Sequence, residues 1–132
     1  MKANFQIYVK GSVEAVAFYQ RAVDLTLGMN YLKEDGMYGH CSLIYGDDEI
    51  FCIAEDRDNG LSSVKMSVNM NIHMINMGTK EAVDRAYAVL NENAIKPSSD
   101  VPGPPDWDED KGDEFYSFGV TDKYGVQWWV VR

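Results

Sequence analysis

An apolar alternation that hands over to a helical rhythm occurs twice in this chain at one fixed offset, and nothing else in the sequence constrains the fold as strongly. Phe5, Ile7 and Val9 alternate with Asn4, Gln6, Tyr8 and Lys10; Gly11 and Ser12 follow, and then Val16, Tyr19 and Val23 recur at helical spacing. From Val64 to Met74 the alternation is longer, with Val64, Met66, Val68, Met70, Ile72 and Met74 set against Lys65, Ser67, Asn69, Asn71 and His73. Met66, Met70 and Met74 alone fit a helical stripe, but the positions between them are apolar too, and a helix would scatter those around its circumference. The spacing therefore predicts a strand. Thr79 then reads as a helix N-cap, Glu81 sits in the first turn, and Ala82, Val83, Ala86, Tyr87 and Leu90 carry the helical rhythm until Asn93 and Pro97 end it. A shift of 67 residues carries Ser12 onto Thr79, Val16 onto Val83, Val23 onto Leu90, and Phe5 and Ile7 onto Ile72 and Met74. Agreement at one register points to an internal duplication, with Ser12 as the cap of the first helix.

The remaining segments complete the pattern. After the first helix, strands are expected over Thr26 to Lys33, Gly39 to Tyr45 and Ile50 to Glu55, the last two joined by the hairpin signal Gly46-Asp47-Asp48. After the second, strands are expected near Ile95, over Glu114 to Val120 and over Val126 to Val131, the last two joined across Thr121 to Gly125. Each half reads β-α-β-β-β, so the expected class is α+β: two βαβββ repeats, about 1–60 and 61–132, in one domain. The second half differs by an insertion over Ser98 to Gly112, rich in Pro, Gly and Asp, of a length usual for a lid or an unstructured loop.

Composition narrows the class of function. The chain has 132 residues, a size that suits one domain, and a net charge of −9 from 12 basic and 21 acidic residues. That surplus repels a phosphate backbone, which argues against nucleic-acid and anionic-membrane partners and leaves neutral, cationic or protein ones. No apolar run approaches the roughly 18 residues of a membrane span, and no signal peptide is read at the start, so a cytoplasmic location is expected. Cys41 and Cys52, the two cysteines, have no CxxC spacing and no adjacent Lys or Arg, and are expected as reduced core thiols rather than nucleophiles. The acidic run of Asp106, Asp108, Glu109, Asp110, Asp113 and Glu114 lacks the ligand spacing of a calcium loop and reads as solvated charge.

The local wording adds a resemblance. Tyr38-Gly39-His40-Cys41-Ser42-Leu43-Ile44-Tyr45-Gly46 with Phe51-Cys52-Ile53-Ala54-Glu55-Asp56 is similar to the His-initiated strand, Gly turn and following strand of the PhnB-like (3-demethylubiquinone methyltransferase-like) branch of the vicinal oxygen chelate superfamily. Asp122-Lys123-Tyr124-Gly125-Val126-Gln127-Trp128 resembles that branch's terminal D-x-x-G-x-x-W hairpin, and Ala17-Phe18-Tyr19 its helix-one F-Y. The superfamily includes glyoxalase I, bleomycin-resistance proteins and extradiol dioxygenases. The resemblance implies curved mixed sheets around a cavity, a homodimer and, in the metal enzymes, a ligand on the first and last strand of each half. Register places those ligands at Asn4, with Gln6 alongside; at Val68 or Asn69; at Ile53, with Glu55 two residues away; and at Trp129. An indole N–H donates only, so a complete site is not expected. No cofactor is expected, and a divalent metal only in a shifted site.

The candidate site residues follow from these registers. His40 and Glu55 are the candidate acid–base or ligating groups. Gln6 and Tyr8 form one polar row, while Asn69, Asn71 and His73 form its counterpart on the duplicated strand. Trp128 and Trp129 lie on opposite faces of the last strand by period two; the hairpin register of the resemblance turns Trp129 toward the cavity with Gln127, and Trp107 is a lid candidate. The absence of a glycine-rich strand-to-helix turn argues against methyl transfer from an adenosyl cofactor. Three functions are open: a metal-independent binder of a small organic molecule, a metal-dependent lyase, isomerase or dioxygenase, and a drug-sequestering resistance module.

Overall fold

The computed structural model of the chain describes residues 4–57, 71–103 and 116–132, with backbone alone over 71–75. Strand Gln6–Val9 (β1), helix Ser12–Val23 (α1) and strands Thr26–Leu32 (β2), Tyr38–Tyr45 (β3) and Asp48–Glu55 (β4) come first; strand Asn71–Asn76 (β5), helix Lys80–Leu90 (α2) and strands Ser117–Thr121 (β6) and Gln127–Val131 (β7) follow. The class is α+β. Contacts divide the chain into two compact units, residues 1–20 with 24–66, and residues 21–23 with 67–132.

In the first unit the strand order is β1-β4-β3-β2, with β1 parallel to β4 and the other pairs antiparallel. Alternation along the strands buries Ile7, Val9, Cys41, Leu43, Phe51 and Ile53, together with Val16, Phe18 and Tyr19 of α1. Tyr19 meets Phe51 edge to face at 5.2 Å between ring centroids. Each such large side chain contributes roughly 1.5–3 kcal/mol by leaving water. The turn between β3 and β4 is the expected tight one: Tyr45 pairs with Asp48, and Gly46 takes a φ of 61° that a side chain would strain. Edge strand β2 leaves Leu27, Met29, Tyr31 and Leu32 exposed.

The second unit has the order β5-β7-β6, and it pairs its strands by the same rule, the opening strand parallel to the last and the last antiparallel to the one before. The strand expected near Ile95 shrinks to one bridge, between Lys96 and Thr121. Pro97, which has no N–H to continue a ladder, stands next in the chain. Thr79 does cap α2, its hydroxyl accepting from the Ala82 N–H at 3.2 Å. Val83, Ala86, Val89 and Leu90 are buried, and Tyr87 packs edge-on against Phe118 at 5.3 Å. The helix stops at Leu90, the last residue of the expected rhythm; the Asn91 side chain donates to the Tyr87 carbonyl at 2.8 Å, and Asn93 takes a left-handed φ of 53°. The expected strand segment Val64–Met70 lies outside the described residues, and the described part continues two residues past Met74. Of the insertion, residues 98–103 are described. Among the described residues no helix is long and apolar enough to cross a membrane.

Candidate functional site

Period two places Gln6, Tyr8, His40, Ser42, Cys52 and Ala54 on the sheet face of the first unit opposite the one that buries Ile7, Cys41, Phe51 and Ile53. Strand register makes them neighbours: Gln6 stands beside Cys52, Tyr8 beside Ala54, and Ser42 beside Cys52. His40 Nδ1 is 2.9 Å from Gln6 Oε1, and Nε2 is 3.2 Å from Ser42 Oγ. An amide oxygen only accepts, so Nδ1 carries the proton and, in the neutral ring, Nε2 accepts from the Ser42 hydroxyl. The Cys52 thiol donates to Glu49 Oε1 at 3.6 Å, and Ser42 Oγ lies 3.6 Å from Cys52 Sγ, a contact with no proton to share while the serine donates to Nε2. Tyr31 stacks beside the imidazole, with centroids 6.5 Å apart. Burial holds the Cys52 thiol above its ordinary range, with the charge of Glu49 adding to the effect, and pushes Cys41 up to about 11. Both cysteines are therefore protonated at neutral pH, and both ring nitrogens of His40 are engaged by neighbouring side chains.

Glu55 has a different task. Its two oxygens accept from the Gly11 N–H at 3.0 Å and the Ser12 N–H at 2.7 Å, closing the N-terminus of α1 from a strand far along the chain. Burial alone would raise its pKa, but the two backbone N–H groups and the Ser12 hydroxyl outweigh that and lower it. The expectation that Ser12 caps α1 is corrected: the cap position is Gly11, in the left-handed region at φ 76°, and no side chain of its own closes the helix. The Ser12 hydroxyl instead accepts from the Tyr38 N–H at 2.9 Å.

In the second unit the D-x-x-G-x-x-W wording has a structural meaning. Asp122 is fully buried and accepts from the N–H groups of Tyr124 at 2.8 Å and Val126 at 3.1 Å, while Gly125 takes the φ of 84° that the turn requires. Its other oxygen accepts from Trp128 Nε1 at 2.8 Å. Trp128 is thereby 1% exposed, and the adjacent Trp129 emerges on the opposite face with Gln127, as period two requires. Across the ladder Trp129 faces Gly119, and Gln127 stands between Thr121 and Asn71. The segment after α2 is pinned above this face. Asn91 donates to Ser98 Oγ at 3.1 Å and accepts from the Ser98 N–H at 2.8 Å, and the Ser98 hydroxyl donates to the Gly119 carbonyl at 2.8 Å. The result is a pocket of about 290 Å³ whose lining includes Lys96, Pro97, Gly119, Thr121, Gln127 and Trp129. Trp129 Nε1 is buried and has no hydrogen-bond partner among the described residues.

The structure thus brings together Gln6 with His40, and Gln127 with Trp129 and the backbone of Asn71. Tyr8 shares the face of Gln6 but stays exposed. The backbone of His73 falls where the β5–β7 register shifts between Ile72 and Ile75. Asn69 and Trp107 lie outside the described residues. Ser42, Lys96 and Gly119 were not anticipated. Alternation alone would have placed Ser42 beside His40, whereas nothing local marks Lys96 or Gly119.

No family model and no curated protein matches the sequence. Solved structures do match, over almost the entire chain. The PhnB protein of Bacillus cereus is 17% identical, with a TM-score of 0.67 over 99% of this chain and 98% of that one. A glyoxalase/bleomycin resistance protein/dioxygenase family enzyme of Burkholderia phytofirmans PsJN is 15% identical, with a TM-score of 0.60 over 98% of each chain. The fosfomycin resistance protein FosX of Listeria monocytogenes is 12% identical, with a TM-score of 0.60 over 99% of this chain and 91% of that one. The chain has the vicinal oxygen chelate fold. In metal enzymes of that fold the sheets supply His, Glu or Gln donors, and the described residues at the matching registers do not fit a divalent ion. Ile53 is an aliphatic side chain buried on the helix side of β4, Trp129 offers a protonated nitrogen, and Gln6 is engaged by His40. Among the described residues no three His, Cys, Asp or Glu side chains converge.

Proposed function

We propose that this vicinal oxygen chelate fold serves a PhnB-like protein that binds a small organic molecule in the pocket beside Trp129, without the metal site of its enzymatic relatives. The observation that carries the reading is a pocket of about 290 Å³ formed over the Trp129 face of the last strand. The pocket supports this in its mixture of an aromatic wall with a few polar groups, Gln127, Thr121 and Lys96.

Titration of tryptophan fluorescence with a panel of one- and two-ring aromatic compounds, in excess chelator, tests the reading. Saturable quenching by at least one compound, lost in Trp129→Phe, is expected. Quenching that needs an added divalent ion, or that survives in Trp129→Phe, would contradict it. Pairing of two copies in the cytoplasm belongs to the same proposal. The exposed Leu27, Met29, Tyr31 and Leu32 of edge strand β2 support the pairing, and sedimentation equilibrium checks it.

A further inference from the structure

Gly119 is the starting point. Its φ lies outside the left-handed region, and a Cβ built on it would meet only the Trp128 carbonyl, at an ordinary 3.7 Å. Nothing in the fold requires glycine there, and glycine weakens a strand interior unless something must approach the backbone closely. The residue directly across the ladder is Trp129, so the missing side chain leaves clear backbone beside the indole, on the face that lines the pocket. A flat molecule fits such a surface better than a branched one.

Lys96 supplies the second observation. Several cations of the described residues are engaged, Arg57 with Asp35 at 2.9 Å, Lys80 over the ring of Tyr116 and Lys123 over that of Tyr124, while the exposed Lys33 and Lys96 have no ion pair among the described residues. Lys96 lines the pocket and has no ion pair among the described residues, in a chain whose net charge is −9. One cation among neutral donors matches a monoanion; a phosphate dianion would leave a charge unbalanced against an acidic protein. The volume, about 290 Å³, lies at the small end of ligand pockets, roughly 300–1,000 Å³, and so limits the occupant to one or two rings.

Resting on the binding reading above, we infer that the ligand class is a small flat carboxylic acid of one or two rings, lying along Gly119 and Trp129 with its carboxylate paired to Lys96. The Gln127 amide supplies a donor to its oxygens.

Calorimetric titration of the full chain at low salt with 2-naphthoate and with its neutral isostere 2-naphthamide tests this. The acid is expected to bind at least tenfold more tightly than the amide; Lys96→Met should remove that difference, and Gly119→Val should abolish binding of both while thermal melting shows an intact fold. Gly119→Ala, which adds one methyl, should give an intermediate loss and serves if the valine variant does not fold. Equal binding of acid and amide, unaffected by Lys96→Met but lost in the Gly119 variants, would overturn the acid class and leave the pocket reading standing. Failure of both probes to bind, or undiminished binding in the Gly119 variants, would overturn the pocket reading and this inference with it.

Discussion

The two units present polar side chains on corresponding sheet faces, but one row is closed and the other open. In the first unit His40 is held by Gln6 and Ser42, Cys52 donates to Glu49, and Glu55 is committed to the end of α1. In the second, Trp129 Nε1 has no partner and Lys96 no ion pair among the described residues, and Gly119 leaves room where a side chain would fit. The contrast recurs within one dipeptide: Trp128 gives its N–H to Asp122, whereas Trp129 gives its own to no described residue. Groups that satisfy each other stabilise a fold, and polar groups on a pocket wall can take up a ligand. Polar residues on a concave face are therefore poor guides to function until their partners are counted.

The largest effect is expected where the closed network is most buried. Asp122→Ala removes the acceptor of one indole and two backbone N–H groups, and should lower unfolding free energy in urea by about 3 kcal/mol. A loss below about 1 kcal/mol would show that the turn does not depend on that carboxylate. Ser42→Ala removes the hydroxyl that donates to His40 and should cost about 1.5 kcal/mol, with no effect on ligand titrations. A change in binding would show that the first face is open after all.

Glu55 gives a pH-dependent version of the same contrast. Its folded pKa lies below the ordinary value of 4.5, so its contribution is fully present above that value and is lost as pH falls through the lowered one. Glu55→Gln should therefore cost about 1 kcal/mol at neutral pH, as loss of a helix cap does, with the gap to the parent narrowing as the pH drops below about 4.5. The smallest effect on stability belongs to the open face. Trp129→Phe keeps an aromatic ring on the pocket wall and should leave urea stability within about 0.5 kcal/mol, while ligand-induced fluorescence changes disappear.

Much of this was legible in the sequence, for physical reasons. Period two assigned Trp128 and Trp129 to opposite faces and put Gln6 on a polar row, because strand geometry fixes the direction of each side chain. Turn chemistry gave the Gly46 hairpin. Contacts between distant elements were not legible. Glu55 replaced Ser12 as the helix cap because β4 runs beside β1 and delivers a stronger acceptor to Gly11 and Ser12, which no local pattern announces. Lys96 and Gly119 matter only through cross-strand register, and Asp122 is tied to Trp128 only once the turn has closed. The Ile95 strand failed where Pro97 interrupts the donors a ladder needs.

The most direct test of the central claim is the indole region of a proton–nitrogen correlation spectrum, assigned with Trp128→Phe and Trp129→Phe, during titration with 2-naphthoate. A probe ring lying along Gly119 against the indole should shift the Trp129 Nε1–H resonance and saturate, while Trp128, held by Asp122, stays in place. A stationary Trp129 signal at saturating probe, or a shift of Trp128 alone, would contradict the account.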